Sequence, residues 1–219
     1  MYQKSPPPWR GRVRVGGKME IRQAKERLIE IILDRSFKYS DDPPFTLVSG
    51  RKSNYYFNCK PTTLDPEAMN LIGELLFDML AGTEVTAAGG LTLGADPIAN
   101  ALAVISFQKG KPIRSFIVRK DVKDHGMMHG IEGNVRPGDK VAILDDVITT
   151  GGSTINAILR AREAGLVIDR VIALIDREEE NGRQNIEAHV GRVEALLTRT
   201  EIMARYRGTG IGALHTVKE

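Results

Sequence analysis

Residues 141–154 restrict the fold more than any other part of the chain. Four apolar residues, Val141, Ala142, Ile143 and Leu144, run straight into Asp145 and Asp146. Val147 and Ile148 follow, then Thr149, Thr150, Gly151, Gly152, Ser153 and Thr154. So short an apolar run reads as a strand buried on both faces, the habit of a parallel sheet. The expected strand 141–144 places both carboxylates at its carboxyl end, where open α/β sheets bind ligands. The loop offers small residues, hydroxyls and open backbone N–H groups at the start of a helix expected over 153–164, which is anion-binding chemistry. Two acids beside a phosphate cradle would repel a bare phosphate. They suit a ligand that also carries hydroxyls, such as a ribose 5-phosphate. A Walker phosphate loop is excluded, because Ser153 and Thr154 stand where a Lys is needed, and Gly151-Gly152 is no dinucleotide fingerprint. The plain alternative is that Asp145 and Asp146 are solvated strand-end or capping residues.

The rest of the chain alternates strands and helices. Ile21, Ala24, Leu28, Ile31 and Ile32 share one face of a helix running to about residue 36. Residues 45–47 and 53–57 read as a hairpin around Ser49-Gly50-Arg51. Asp65-Pro66 starts a second helix, with Leu71, Ile72, Leu75, Leu76, Met79 and Leu80 on its buried side. Strands are expected at 85–88, 113–118, 141–144 and 171–175, with helices at 96–107 and 153–164 between them. This order implies an α/β fold with a mostly parallel central sheet flanked by helices. Residues 193–197 and a short helix at 201–205 add to an edge.

The chain has 219 residues, 42% of them hydrophobic, enough for one medium α/β domain with a real core. No apolar run reaches the length of a membrane span, so no membrane partner is expected. The single cysteine, Cys59, rules out an internal disulfide and fits a reducing cytoplasm. Residues 1–18 hold five basic and no acidic residues, against a net charge of +3 for the whole chain, so the remainder is at −2. The basic balance therefore belongs to the tail, and no nucleic-acid partner is expected. Residues 1–18 read as a disordered basic extension, or as an upstream extension of a protein whose natural start is Met19. The domain occupies 19–219.

Residues 121–139 show no clear period and contain five prolines or glycines, which reads as a mobile lid. Arg119, Lys120, Lys123 and His125 open it as a cationic cluster suited to a leaving group that gathers negative charge. A solvated, mixed-charge loop is the alternative, given Asp121 and Asp124.

Stretch 141–154 resembles the phosphoribosyl-pyrophosphate signature of type I phosphoribosyltransferases. The resemblance implies that Asp145 and Asp146 hold the ribose hydroxyls. Val147 and Ile148 lead into Thr149, Thr150, Gly151, Gly152, Ser153 and Thr154, which hold the 5-phosphate. The pattern R-K-x-x-K-x-H-G, complete at Arg119, Lys120, Lys123, His125 and Gly126, is similar to the catalytic loop of orotate phosphoribosyltransferases. In that family the loop reaches the partner subunit's site and contacts pyrophosphate. Residues 45–58 resemble the family's N-terminal hairpin, with Tyr56 and Phe57 near the pyrimidine. Arg177 matches the arginine near the orotate carboxylate, and Thr149 also borders the base. Some relatives carry lysines where this chain has Val48 and Gly94. With Gly94, pyrophosphate binding at that loop would rely on backbone N–H groups.

The resemblance thus implies a type I phosphoribosyltransferase-like fold with an N-terminal hood or hairpin and a flexible catalytic loop. It implies a cytoplasmic enzyme of pyrimidine biosynthesis that joins orotate to the sugar of phosphoribosyl pyrophosphate. It further implies Mg²⁺ as cofactor, with no protein metal ligand assigned, and a homodimer with shared sites. The rival readings are a purine phosphoribosyltransferase, which would not need Arg177 facing a carboxylate, and a regulator that kept the fold to sense phosphoribosyl pyrophosphate.

Overall fold

A computed structural model describes residues 20–40, 42, 44–46, 52–120 and 130–208. The expected basic extension, Met19, Val48, Lys123 and His125 lie outside the described residues. In chain order the elements are α1 (Ile21–Arg35), β1 (Phe37–Tyr39), β2 (Phe45–Thr46), β3 (Lys52–Ser53), β4 (Tyr55–Phe57), α2 (Lys60–Thr63) and α3 (Pro66–Leu80). Then come β5 (Ala87–Leu91), α4 (Ala95–Gln108), β6 (Arg114–Val118), β7 (Ile131–Gly133), β8 (Lys140–Ile148) and α5 (Gly152–Glu163). The chain continues through β9 (Val167–Asp176), α6 (Gly182–Val190), β10 (Glu194–Thr198) and α7 (Arg199–Gly208).

Six strands form the central sheet in the order β10-β9-β8-β5-β6-β7. All neighbours are parallel except β6 and β7. The chain builds outward from β5 on one side, then returns to lay β8 on the other. The gap between the carboxyl ends of β5 and β8 is therefore the switch point at which such sheets bind ligands. Val141, Ala142, Ile143 and Leu144 are fully buried, as expected of a central strand covered on both faces. One face is covered by α1, α3, α4 and α7, the other by α5 and α6. Each fully buried Leu or Ile, such as Leu28, Leu76 or Ile158, contributes roughly 1.5 to 3 kcal/mol relative to exposure.

Local signals set the helix boundaries. The Asp65 side chain accepts the N–H groups of Glu67 and Ala68, both at 3.0 Å, and Pro66 takes the first helical position of α3. Arg27 of α1 grips both carboxylate oxygens of Glu67 at 2.7 and 2.9 Å, tying the first helix to the third.

Several expected elements differ. The hairpin expected from 45–47 and 53–57 is divided between two ladders. β2 pairs with β3, while β4 pairs with β1 in the register Phe37↔Phe57. β1 was hidden because three residues directly after a helix carry no measurable period. β8 extends to Ile148, so the two acids lie within the strand rather than just beyond it. β7 gives the region expected to be irregular an antiparallel edge strand against β6. Ile21, expected on the buried side of α1, is 41% exposed, since the helix rests on the core through Ala24, Leu28, Ile31 and Ile32.

Candidate active site

The buried run of β8 carries Asp145 into the sheet interior, where it is only 5% exposed. The Thr154 hydroxyl, from the first turns of α5, donates to its Oδ2 at 2.5 Å. The Asp146 N–H donates to its Oδ1 at 3.0 Å. Burial pushes the Asp145 carboxyl up to about 7; the Thr154 hydrogen bond pulls the other way, and the neighbouring Asp146 charge adds to the rise. Asp146 is half-buried, and its Oδ1 accepts the Val147 N–H at 2.9 Å. The strand thus presents one buried and one accessible acid.

The loop after β8 turns sharply. Gly151 has φ of +85°, and a Cβ there would lie 2.8 Å from Ile186 and 2.9 Å from the Gly182 carbonyl, so only glycine fits. Gly152, Ser153 and Thr150 are exposed at the helix start, where the first N–H groups have no partner along the helix itself. The Asn185 side chain donates to the Thr150 carbonyl at 2.9 Å and fixes the loop against α6.

Across the switch point, the chain after β5 closes on the same acids. A Cβ at Gly94 would sit 2.6 Å from Asp146 Oδ1, so the backbone here lies directly against that carboxylate. A lysine, found at this position in some relatives, would require Asp146 to move. The Thr92 hydroxyl donates to Asp96 at 2.7 Å, and its N–H donates to the Val118 carbonyl at 2.9 Å, holding the loop to the end of β6.

That end of β6 carries Arg119 and Lys120. The Arg119 N–H donates to the Gly130 carbonyl at 2.9 Å, and its side chain pairs with Glu132 at 3.3 Å. Arg160 of α5 donates to the carbonyls of Arg119 and Lys120 at 2.8 and 3.0 Å, while its Nε donates to Asn156. The helix that begins after β8 thus holds the root of the cationic segment. Sequence reading missed Arg160; its place two turns along that helix was the only signal. Of the four cations singled out, Arg119 and Lys120 are brought to the crevice edge.

On the other flank, the Arg177 N–H donates to the Ile148 carbonyl at 3.1 Å, so the residue after β9 sits beside the end of β8 and the loop that follows it. Its guanidinium is buried and pairs with Glu179 at 3.0 Å. It lies 5.4 Å from the Tyr55 ring and 6.0 Å from the Phe57 ring. Strand alternation separates the two aromatic residues singled out: Phe57 turns inward beside Arg177, whereas Tyr56 is 40% exposed, 6.0 Å from Phe45. Tyr55 is thus the second ring at Arg177. Cys59 is buried nearby; burial first, then the Asp146 charge, pushes its thiol well up. Among the described residues, no cluster of three or more His, Cys, Asp or Glu side chains could hold a metal ion.

One crevice therefore brings two acids on one wall beside the exposed start of a helix on the next. The sheet order that creates it is the type I phosphoribosyltransferase fold. No protein-family model matches the chain. The orotate phosphoribosyltransferase of Aquifex aeolicus is 45% identical over 179 residues, which is 82% of this chain and 97% of that protein. A crystal structure of the Mycobacterium tuberculosis orotate phosphoribosyltransferase in complex with Fe(III) dicitrate matches with a TM-score of 0.72 and 34% identity, covering 82% of this chain and 98% of that one. The same enzyme in complex with phosphoribosyl pyrophosphate matches at 0.65 and 28%, covering 82% and 91%. The chain belongs to the orotate phosphoribosyltransferase family. It is a pentosyltransferase of pyrimidine biosynthesis.

Proposed function

We propose that the protein transfers the 5-phosphoribosyl group of phosphoribosyl pyrophosphate to N1 of orotate, giving orotidine 5′-phosphate and pyrophosphate, by the following division of labour. The carrying observation is the convergence of Asp145, Asp146, the Gly151 turn and Arg177 on one switch point. Asp145 and Asp146 orient the ribose through its hydroxyls, and residues 149–154 hold the 5-phosphate. Arg177 takes the orotate carboxylate through its planar fork, with Phe57, Tyr55 and Thr149 bounding the ring. N1 attacks C1′ as pyrophosphate leaves; the ring passes through an oxocarbenium-like state. The acidic ring nitrogen of orotate can lose its proton to water early in the reaction, so no positioned general base is assigned. Arg119, Lys120, Lys123 and His125 meet the charge growing on the leaving oxygens.

Two adjacent carboxylates do not form a protein cage for a metal, but they fit a Mg²⁺ ion held mainly by substrate oxygens and water. Bound there, Mg²⁺ would offset negative charge on the leaving group. The working form is a homodimer with shared sites. Leu93, Val104 and Phe107 support this reading: they stand exposed before and along α4, apolar surface that a second copy would cover. No helix among the described residues is long and apolar enough to cross a membrane, and the reaction is assigned to the cytoplasm.

The test is orotate consumption followed by ultraviolet absorbance, with adenine, guanine and uracil in parallel. Turnover of orotate alone, requiring both Mg²⁺ and the activated sugar, is expected; turnover of another base would overturn the base pocket. Mixed Lys123→Ala and Arg177→Ala subunits should recover activity in verified heterodimers, and no recovery would remove the shared site.

A further inference from the structure

More charge surrounds Arg177 than a carboxylate receptor alone requires. Glu179 is shared between two arginines: Oε2 lies 3.0 Å from Arg177 Nη2, and Oε1 lies 3.3 Å from Arg199 Nη1. The same Arg199 nitrogen donates to the Tyr55 hydroxyl at 2.8 Å. Both guanidiniums lie near the Tyr55 ring, at 5.4 and 5.7 Å. Glu178 is engaged differently: it accepts the N–H and hydroxyl of Thr200 at 2.9 and 2.5 Å, at the start of α7, and stays 3.9 Å from Arg199. The Arg177 and Glu179 side chains are 7% and 11% exposed, so water screens their attraction poorly.

A carboxylate ligand arriving at Arg177 would share one guanidinium with Glu179. Two anions on one cation repel, and the repulsion is strong in a buried site. We propose that Arg199 is a positioning residue for base recognition. By holding one oxygen of Glu179, it stops that acid from closing in bidentate fashion on Arg177, and it supplies the second positive charge that two carboxylates need. This inference rests on the reading of Arg177 as the carboxylate receptor. Without Arg199, Glu179 would swing its whole carboxylate onto Arg177 and compete with the substrate.

The experiment is steady-state kinetics on the full chain. Arg199→Met should raise the KM for orotate about tenfold, the scale of one charge-assisted hydrogen bond, while kcat stays within about twofold. The KM for phosphoribosyl pyrophosphate and inhibition by uracil, which lacks the carboxylate, should not change. Adding Glu179→Gln should return the orotate KM to within about threefold of the parent, because the competing anion is gone. A merely structural Arg199 would not be rescued in this way. An unaltered orotate KM in Arg199→Met, or a double variant with no recovery, overturns the proposal. Arg177→Met separates the two levels: an unchanged orotate KM there defeats the receptor reading itself. If Arg199→Met does not fold, Arg199→Lys should show a smaller rise that Glu179→Gln relieves, and no rise would overturn the proposal equally.

Discussion

The two halves of the crevice are built in opposite ways. The half proposed to hold the ribose phosphate is a single stretch of chain, from Asp145 to Thr154, whose parts are hydrogen-bonded to one another within ten positions. The half proposed to hold the base is assembled from three distant segments: β4 with Tyr55 and Phe57, the end of β9 with Arg177 and Glu179, and the start of α7 with Arg199. A contiguous half can be transferred among proteins as a unit. An assembled half ties recognition of the base to the docking of the N-terminal hood, the paired strands β1 and β4, on the rest of the fold. The difference predicts that damage to the first half is chemical and local, whereas damage to the second half costs stability as well.

The largest effect should follow Asp145→Asn, which should lower kcat/KM by about two to three orders of magnitude by removing a ribose-orienting charge. The same change should stabilise the fold. The folded carboxyl is raised from 3.8 to about 7, so the folded state keeps a proton that the unfolded chain releases between these values. The contribution of this group to wild-type stability therefore falls as pH rises from about 4 to about 7 and is level above. Asp145→Asn should gain on the order of 1 to 3 kcal/mol at pH 8, shrinking towards nothing near pH 4. Thermal melts at the two pH values check this, and a destabilised variant at pH 8 would break the comparison. Next, Phe57→Ala should cost about 3 kcal/mol in urea denaturation and raise the orotate KM, since Phe57 joins Phe37, Tyr55 and Arg177. A loss of orotate affinity at full stability would mean the base half is not structurally coupled. The smallest effect is expected from Arg160→Leu: about a tenfold loss of kcat, with melting little changed. It removes two hydrogen bonds to the root of the cationic segment and leaves the ribose half intact. An unchanged kcat would separate that segment from α5.

The same contrast explains what the sequence made legible. The strand, the acids and the phosphate turn were readable because their physics is local: an apolar run, adjacent charges, and small residues at a helix start. Even there, the length of β8 was misjudged, because Val147 and Ile148 continue the strand beyond the acids. Arg177 was readable only through resemblance, since nothing in its neighbourhood says which ring it meets. The pairing of β4 with β1 rather than β3 is a long-range choice, and with it goes the inward turn of Phe57 and Tyr55. Arg199 and Arg160 look like ordinary surface cations until the fold brings their partners to them.

Cys59 is the only sulfhydryl in the chain, and it is buried beside this junction. A thiol reacts as its thiolate and only where a reagent can reach it, and here burial suppresses both conditions. Its labelling rate is therefore a clock for how often the hood lifts from the sheet. Phosphoribosyl pyrophosphate alone should slow that clock little. Orotate, which would bridge the hood to Arg177, should slow it more, and the ratio of the two rates would measure how much of base binding is spent on holding the molecule shut.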